Sequence, residues 1–191
     1  MRSRAAASSP CPGRTTTRSC CPTIPWSRAS CGPSSAPDVD GASGRGGTLG
    51  VMEIRNARAP DLPAVMELAS AVIGPERAGP FIRSHVERHH LLIAGDGDAV
   101  AGVLAYRTDW FQCTFVSLVC VHEDYRRRGV ARALFGAVER MSPSPRLFSS
   151  SEETNAASIR MHTALGFAPS GHIDNLPQGY RELLFYKRLS P

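Results

Sequence analysis

Between Arg126 and Arg132 the chain reads R-R-R-G-V-A-R, four arginines around one glycine. Guanidinium groups beside an unhindered backbone suit an anionic ligand, phosphate above all. Gly129 lets the main chain approach such a ligand because it carries no Cβ. Upstream, Ser117 to Val121 (S-L-V-C-V) is a short apolar run with β-branched residues, which predicts a buried strand. His122 to Gly129 is polar and predicts a turn, and Val130, Ala133, Leu134 and Val138 fall on one helical stripe. A strand that feeds a glycine loop and then a helix brings the unpaired N–H groups of the first helical turn to one point. Those groups and the helix dipole attract an anion. A solvated arginine cluster on a surface turn is the competing reading, and composition alone does not separate the two.

Other reactive residue types are scattered more widely. His85 and His89 are four apart, with His90 adjacent, a spacing that metal pairs use. No glutamate completes an H-E-x-x-H pattern, so a solvated helix end is expected there and no metal site. Cys11, Cys20, Cys21 and Cys31 match no usual zinc spacing, and no histidine precedes His85. Cys120, between Val119 and Val121, is expected to be a small buried hydrophobe. Glu152 and Glu153 lead into a second segment, N-A-A-S-I-R-M-H-T-A-L-G-F, from Asn155 to Phe167.

The pattern R-x-x-G-x-A from Arg126 to Ala131, after L-V-C-V and H-E-D-Y, resembles the acetyl-CoA-binding segment of the GNAT superfamily of N-acetyltransferases. It is neither a P-loop nor a dinucleotide-binding G-x-G-x-x-G. The segment from Asn155 to Phe167 resembles a second stretch of the same family, and the likeness runs from Met52 to the C-terminus. The resemblance implies an α/β fold, a mixed and mostly antiparallel sheet with splayed central strands and flanking helices. It implies transfer of an acetyl group from acetyl-CoA to a primary amine by direct attack. It implies that Val119, Cys120 and Val121 pair with pantetheine, and that Arg126, Arg127, Arg128, Gly129, Val130, Ala131 and Arg132 hold the pyrophosphate. Asn155, with Ser158, would touch the cofactor; a local helix cap is the alternative for Asn155.

The family usually places a tyrosine seven residues after that asparagine, as the acid for the departing thiolate. Here the position is His162, which could donate a proton or replace the tyrosine only in packing. Seven residues make about two helical turns, so His162 is expected on the same cleft as Asn155. Tyr125 and Tyr180 are further candidates for the acid. The central strand holds no acid. Glu152 and Glu153 are therefore the candidate bases, directly or through water, against a role as favourable charges at a helix N-terminus. The acceptor, a small-molecule or peptide amine, would lie against the first two helices, the Tyr106–Phe111 turn and the Asn175–Tyr180 loop. Trp110 and Phe111 would form an apolar wall, and Asp109 and Asp174 would hold a cation. A homodimer is compatible with the resemblance. Two other classes compete: a non-catalytic acyl-CoA-binding or regulatory module, favoured by the missing strand carboxylate and by His162, and a nucleic-acid binder acting through the arginines of the first segment.

The elements that must position these residues follow from periodicity. The 191 residues suffice for one ordinary domain. Residues 1–51 are rich in Pro, Gly, Ser and Arg and poor in large apolar residues, so they are expected to be disordered, with Met52 a candidate start. They hold six arginines and two aspartates, which leaves the remainder near neutral and argues against a large nucleic-acid face. No apolar run approaches the ~20 residues that span a bilayer, and the cysteine usage suits a reduced, cytoplasmic protein. From Met52 the expected order is β-α-α-β-β-β-α-β-α-β-β. Leu62, Val65, Met66, Leu68, Ala69 and Val72 are read as a core-facing stripe. Further expectations are a second helix from about Pro80, a bulge at Gly102 and a hairpin turn at Thr108-Asp109.

Overall fold

The computed structural model describes residues 52–190. The expectations for residues 1–51 fall outside the described residues. The elements are β1 (Glu53–Asn56), a 3-10 turn (Ala59–Asp61), α1 (Leu62–Ile73), α2 (Pro75–Glu87), β2 (Leu91–Asp96), β3 (Ala99–Trp110) and β4 (Cys113–Val121). A second 3-10 turn (Glu123–Tyr125) leads to α3 (Val130–Met141), β5 (Arg146–Glu152), α4 (Ala156–Ala164), β6 (Ala168–Ile173) and β7 (Glu182–Arg188). This is the order read from periodicity. The strands form one seven-stranded sheet in the order β1-β2-β3-β4-β5-β7-β6. Every neighbouring pair is antiparallel except β4 with β5, which run parallel.

Alternation along the strands gives the sheet two buried faces. One carries Leu92, Leu104, Val116 and Leu147, covered by Val130, Leu134, Phe135 and Val138 of α3. The four α3 side chains are at most 1% exposed, each worth about 1.5–3 kcal/mol of burial. The other face carries Leu91, Ile93, Val103 and Leu118, covered by Val65 and Ala69 of α1 and by Ala78 and Ile82 of α2. Gly102 is required at the first interface. A Cβ there would stand 2.8 Å from Val130 Cγ1 and 2.9 Å from the Cys120 carbonyl oxygen, so a side chain would drive α3 off β3. The bulge expected at Gly102 lies beside it, since Ala94 pairs with Gly102 and Gly95 with Val100, which leaves Ala101 as the extra residue; a second falls at Ala105/Tyr106.

Asp61 pins β1 to the start of α1. It accepts two bonds from Arg55, at 2.7 and 2.9 Å, and one from the Arg58 backbone N–H. The Arg55 guanidinium holds its carboxyl below the usual carboxylate range. Two boundaries differ from expectation. Gly74 (φ 82) reverses the chain at once, so α2 starts at Pro75, a favoured first helical position, and carries Pro80 inside it. Both Pro80 and Glu76, whose carbonyl Pro80 leaves without a helical donor, face solvent. The hairpin after β3 turns at Phe111-Gln112, both at positive φ, because Arg107 clasps Asp109 within the strand and Trp110 still pairs with Cys113.

Candidate active site

The centre of the sheet is a fork. The parallel ladder between β4 and β5 spans only Thr114–Val116 against Leu147–Ser149. Beyond that rung β4 stays paired with β3 and β5 with β7, and the edges that faced each other part. Beside the last rung, Ala105 pairs with Leu118 and Tyr106 with Val116, which leaves Ser117 as an extra residue bulged out of β4. A bulge frees backbone groups from the ladder, here at the apex of the fork.

On one side of the fork lies a cleft of about 900 Å3. Val119, Cys120 and Val121 form its floor, Tyr125 and Arg126 one end, and Asn155, Ser158 and Met161 its far wall. Leu68 and Val72 of α1 line it too, and Val72 is 47% exposed. The stripe expected to be core thus divides: Val65 and Ala69 are buried, and Leu68 and Val72 face the cleft. The Cys120 thiol is pushed up to about 12 by burial, so it behaves as an inert hydrophobe.

At its exposed end the cleft meets the arginine loop. Arg127 (φ 62) and Gly129 (φ 85) both take left-handed backbone, and α3 begins at Val130 with no side-chain cap. The first intrahelical bond runs from Ala133 N–H to the Gly129 carbonyl at 2.9 Å. The N–H groups of Val130, Ala131 and Arg132 are therefore left pointing out of the helix. Nothing lies within 4 Å of a Cβ built on Gly129. Arg126 reaches the Val121 carbonyl, Arg128 lies 5.5 Å from the centroid of the Tyr125 ring and Arg132 reaches the Ala164 carbonyl. Asn155 takes the local capping role: its Oδ1 caps α4 by accepting from Ser158 N–H at 3.0 Å. The residue lines the cleft, and its side-chain NH2 has no partner among the described residues.

His162, expected in this cleft, is in the core. It is 1% exposed, stacked on Phe185 at 4.4 Å and 5°, and edge-on to Phe135 and Phe167. The cause is local: α4 turns Ser158 and Met161 to the cleft, and the ring one residue on meets three phenylalanines. Its Nδ1 donates to the Ser158 carbonyl at 2.8 Å, which fixes the proton on that atom. Nε2 then accepts from the Ser149 hydroxyl at 2.9 Å. Burial pushes the ring below its usual pKa, so it is a neutral imidazole with both nitrogens engaged. Ser149 is the last rung of the fork, so His162 braces α4 against that rung.

The expected acids also divide. Glu153 is exposed, with its backbone N–H on the Arg181 carbonyl. Glu152 faces Glu182 across β5 and β7 and bonds Tyr180. Burial, with Glu152 beside it, raises the Glu182 pKa, and Tyr180 is pushed up to about 12, also by burial first and then by Glu152. Glu182 escaped the sequence reading because only strand register brings it opposite Glu152. Asp109 and Asp174, expected to hold a cation, are already engaged, Asp109 by Arg107 and Arg88 and Asp174 by Arg181 and His172. Phe111, expected in an apolar wall, is 83% exposed at the hairpin tip.

On the other side of the fork a cavity of about 430 Å3 lies between α2, β3 and β4, lined by Phe81, His85, His90, Tyr106, Trp110 and Ser117 among others. Trp110 continues into a row with Phe115, Phe148 and Tyr186, ring centroids 4.9–5.2 Å apart. Phe148 and Glu152 are four apart on β5 and so share this face. His85 and His90, read as solvated, belong to this cavity. No group of three or more His, Cys, Asp or Glu able to hold a metal occurs among the described residues.

Residues 53–167 match the acetyltransferase (GNAT) family. No curated protein matches the chain in sequence. Among solved structures it is similar to a GNAT-family acetyltransferase from Bacillus cereus, with 31% identity, 74% of this chain and 100% of that one covered, and a TM-score of 0.67. YncA of Salmonella typhimurium, solved with its cofactor acetyl-CoA, shares the fold at 21% identity, with 73% and 94% covered and a TM-score of 0.57. The ribosomal-protein-S18-alanine N-acetyltransferase of Escherichia coli shares it at 20% identity, with 74% and 96% covered and a TM-score of 0.59.

Proposed function

We propose that this chain, which belongs to the acetyltransferase (GNAT) family, moves the acetyl group of acetyl-CoA to a primary amine by direct attack. The observation that carries the reading is the fork, with the arginine-loop cleft on one side of it and the aromatic cavity on the other. The family match and the acetyl-CoA complex of the Salmonella neighbour support the choice of donor. Bound acetyl-CoA supplies an activated thioester. The remaining chemistry falls to the chain.

The open N–H groups of Val130 to Arg132, with Arg126 to Arg128 around them, suit the pyrophosphate. The parted edge of Val119 to Val121 suits the amides of pantetheine, and Asn155 and Ser158 close the cleft over it. The freed backbone around Ser117 is aimed where a thioester carbonyl would meet it, and N–H donors there stabilise the charge that develops on its oxygen. The amine enters from the aromatic cavity. The buried, fully bonded His162 has no proton to give to the cleft, so the thiolate takes its proton from water.

The test is calorimetry with acetyl-CoA. Gly129→Ala and Gly129→Glu share the strain of a side chain at positive φ, about 1–2 kcal/mol, and both have room for it. Only the second adds negative charge beside the pyrophosphate. Gly129→Glu is expected to weaken binding at least about tenfold relative to Gly129→Ala, a loss of ~1.4 kcal/mol. Equal affinities in two folded variants would refute the placement of the donor.

A further inference from the structure

The nature of the acceptor can be read from the second cavity, given the acetyl-transfer reading above, on which this inference rests. Among the described residues, two buried side-chain atoms lack any hydrogen-bond partner, His90 Nδ1 and Ser117 Oγ. Both residues line this cavity. A polar atom buried without a partner costs about 1–3 kcal/mol, and such groups in native structures call for an explanation. Two such atoms on residues that line one cavity are explained by a ligand that bonds both.

The backbone is shaped to put them there. His89 takes left-handed backbone (φ 55) just after α2 and turns the chain inward. The His90 N–H then bonds the His85 carbonyl at 2.8 Å, and its carbonyl accepts from Tyr106 N–H at 3.0 Å. Its ring lies against Tyr106 at 4.7 Å. Ser117 is the bulged residue beside the last rung of the fork. A ligand that reaches both atoms sits at the point where the cofactor cleft ends.

Charge narrows its class. The lining holds two guanidiniums, Arg88 and Arg107, and no carboxylate. Asp109 nearby is clasped by Arg107 at 2.6 and 3.0 Å and lies 3.6 Å from Arg88, so it offsets one of the two charges. The groups around His90 are His85 of α2, Arg88 at its C-cap, His89 of the turn, and Tyr106, Arg107 and Asp109 of β3. Burial first, then Arg88 and His89, push His90 below its usual pKa, with Asp109 opposing. Burial does the same to His85. The cavity at pH 7 thus holds neutral imidazoles under a net positive rim, a setting that repels an ammonium and favours an acid group.

We propose that the cavity takes a primary amine whose remainder carries a carboxylate or similar acid group, that Arg88 holds that group, and that His90 Nδ1 accepts the proton the amine loses. The amine nitrogen forms a C–N bond with the acetyl carbonyl carbon, the C–S bond breaks, and sulfur leaves as thiolate. The nitrogen's proton passes to His90 Nδ1 and from the imidazolium to solvent. The thiolate takes a proton from water. Ser117 Oγ accepts from the amine N–H and holds its lone pair toward the carbonyl.

The experiment compares amino acids, their amides and spermidine as acceptors, with thiol release from acetyl-CoA as one readout. The second readout, independent of turnover, is displacement of the His90 imidazole resonance by each probe in the presence of CoA. Amino acids with a free acid group are expected to exceed their amides at least about tenfold in kcat/KM, with spermidine slowest. They should displace the His90 resonance at lower concentration than the amides do. His90→Gln should lower kcat roughly 10²-fold and remove the acid-side limb of the pH profile, with acetyl-CoA affinity unchanged. Ser117→Ala should raise the acceptor KM several-fold and lower kcat as well, with the pH profile unchanged. Turnover that prefers amides or spermidine, unaltered kcat and pH profile in His90→Gln, or a His90 resonance that no amine displaces would each overturn the proposal. Failure of the acetyl-transfer reading looks different, because no heat of acetyl-CoA binding would then be seen.

Discussion

His162→Phe separates a bracing role from proton transfer. Phenylalanine nearly matches the imidazole in shape, and the ring lies flat on Phe185 at 4.4 Å, so the substitution opens no large cavity. It removes the bond to the Ser158 carbonyl at 2.8 Å and the one from Ser149 Oγ at 2.9 Å. The Ser158 carbonyl keeps its helical bond, and Ser149 retains only a long contact to the Val116 carbonyl at 3.5 Å. Two bonds at about 0.5–1.5 kcal/mol each, partly offset because phenylalanine is easier to bury, give a net loss of about 1–2 kcal/mol. The melting temperature at pH 7.5 should fall by about 3–8 °C. Burial lowers the folded pKa of His162, so below the usual ~6.5 the unfolded chain binds the extra proton. The wild-type protein therefore loses stability as pH falls from 6.5 toward the folded pKa, by at most about 1.4 kcal/mol per pH unit for this group. The variant lacks that loss, so the gap in melting temperature should narrow toward pH 5. The measurement is thermal melting at several pH values beside kcat for the best acceptor, which should stay within about threefold. A 10²-fold fall in kcat with a missing pH limb, in a variant that melts like the wild type, would refute this and put His162 in the proton path.

Two further outcomes are expected. Asp61→Asn should cost about 1.5–3 kcal/mol at pH 7, seen as a lower melting temperature, because Arg55 loses a bidentate, buried partner. The Asp61 pKa is lowered in the fold, so the advantage of the wild type should persist down to the usual ~3.9 and fade below it; equal melting at pH 7 would refute the ion pair's role. A shortened chain that begins at Met52 should melt within about 2 °C of the full one, well inside the ~4 °C that 1 kcal/mol can produce. The low apolar content of residues 1–51 motivates this, and a larger loss would mean that the segment packs on the domain.

The order of elements was legible because each one carries its own periodicity. α3 shows Val130, Leu134 and Val138 on one stripe, and β4 ends in the short apolar run L-V-C-V of a buried strand. The boundaries that moved were those where a local signal competes with a tertiary one. Thr108-Asp109 has turn composition, yet Arg107 clasps Asp109 within β3, and the turn falls on Phe111-Gln112, which carry no glycine to announce positive φ. Pro80 looks like a helix start until Gly74 supplies an earlier one. The seven-residue spacing from Asn155 to His162 predicted a shared cleft, yet Asn155 is the exposed cap of α4 and His162 lies in the core. What the spacing left open was how far round α4 the cleft extends, and His162 falls instead among Phe135, Phe167 and Phe185.

The fork was implied by the family resemblance, as splayed central strands, but its position was not legible in the residues, for a different reason. It depends on where pairing stops, and pairing between β4 and β5 joins residues 33 apart, Val116 and Ser149, with α3 between them. No residue marks the bulge, since Ser117 is neither glycine nor proline. The register must be known on both sides, Ala105 with Leu118 and Tyr106 with Val116, before the extra residue can be seen. The same holds for His90. In sequence it belongs to a polar helix end, and only docking of α2 across β3 and β4 turns that end into the wall of a cavity. The arginine loop is contiguous and could be read from one segment. The acceptor side is assembled from α2, β3, β4 and β5, so its chemistry rests on contacts that spacing does not encode. That division fits the reaction. In the proposed reaction, the loop that would hold the pyrophosphate can stay fixed while the acceptor changes through side chains such as Arg88 and His90.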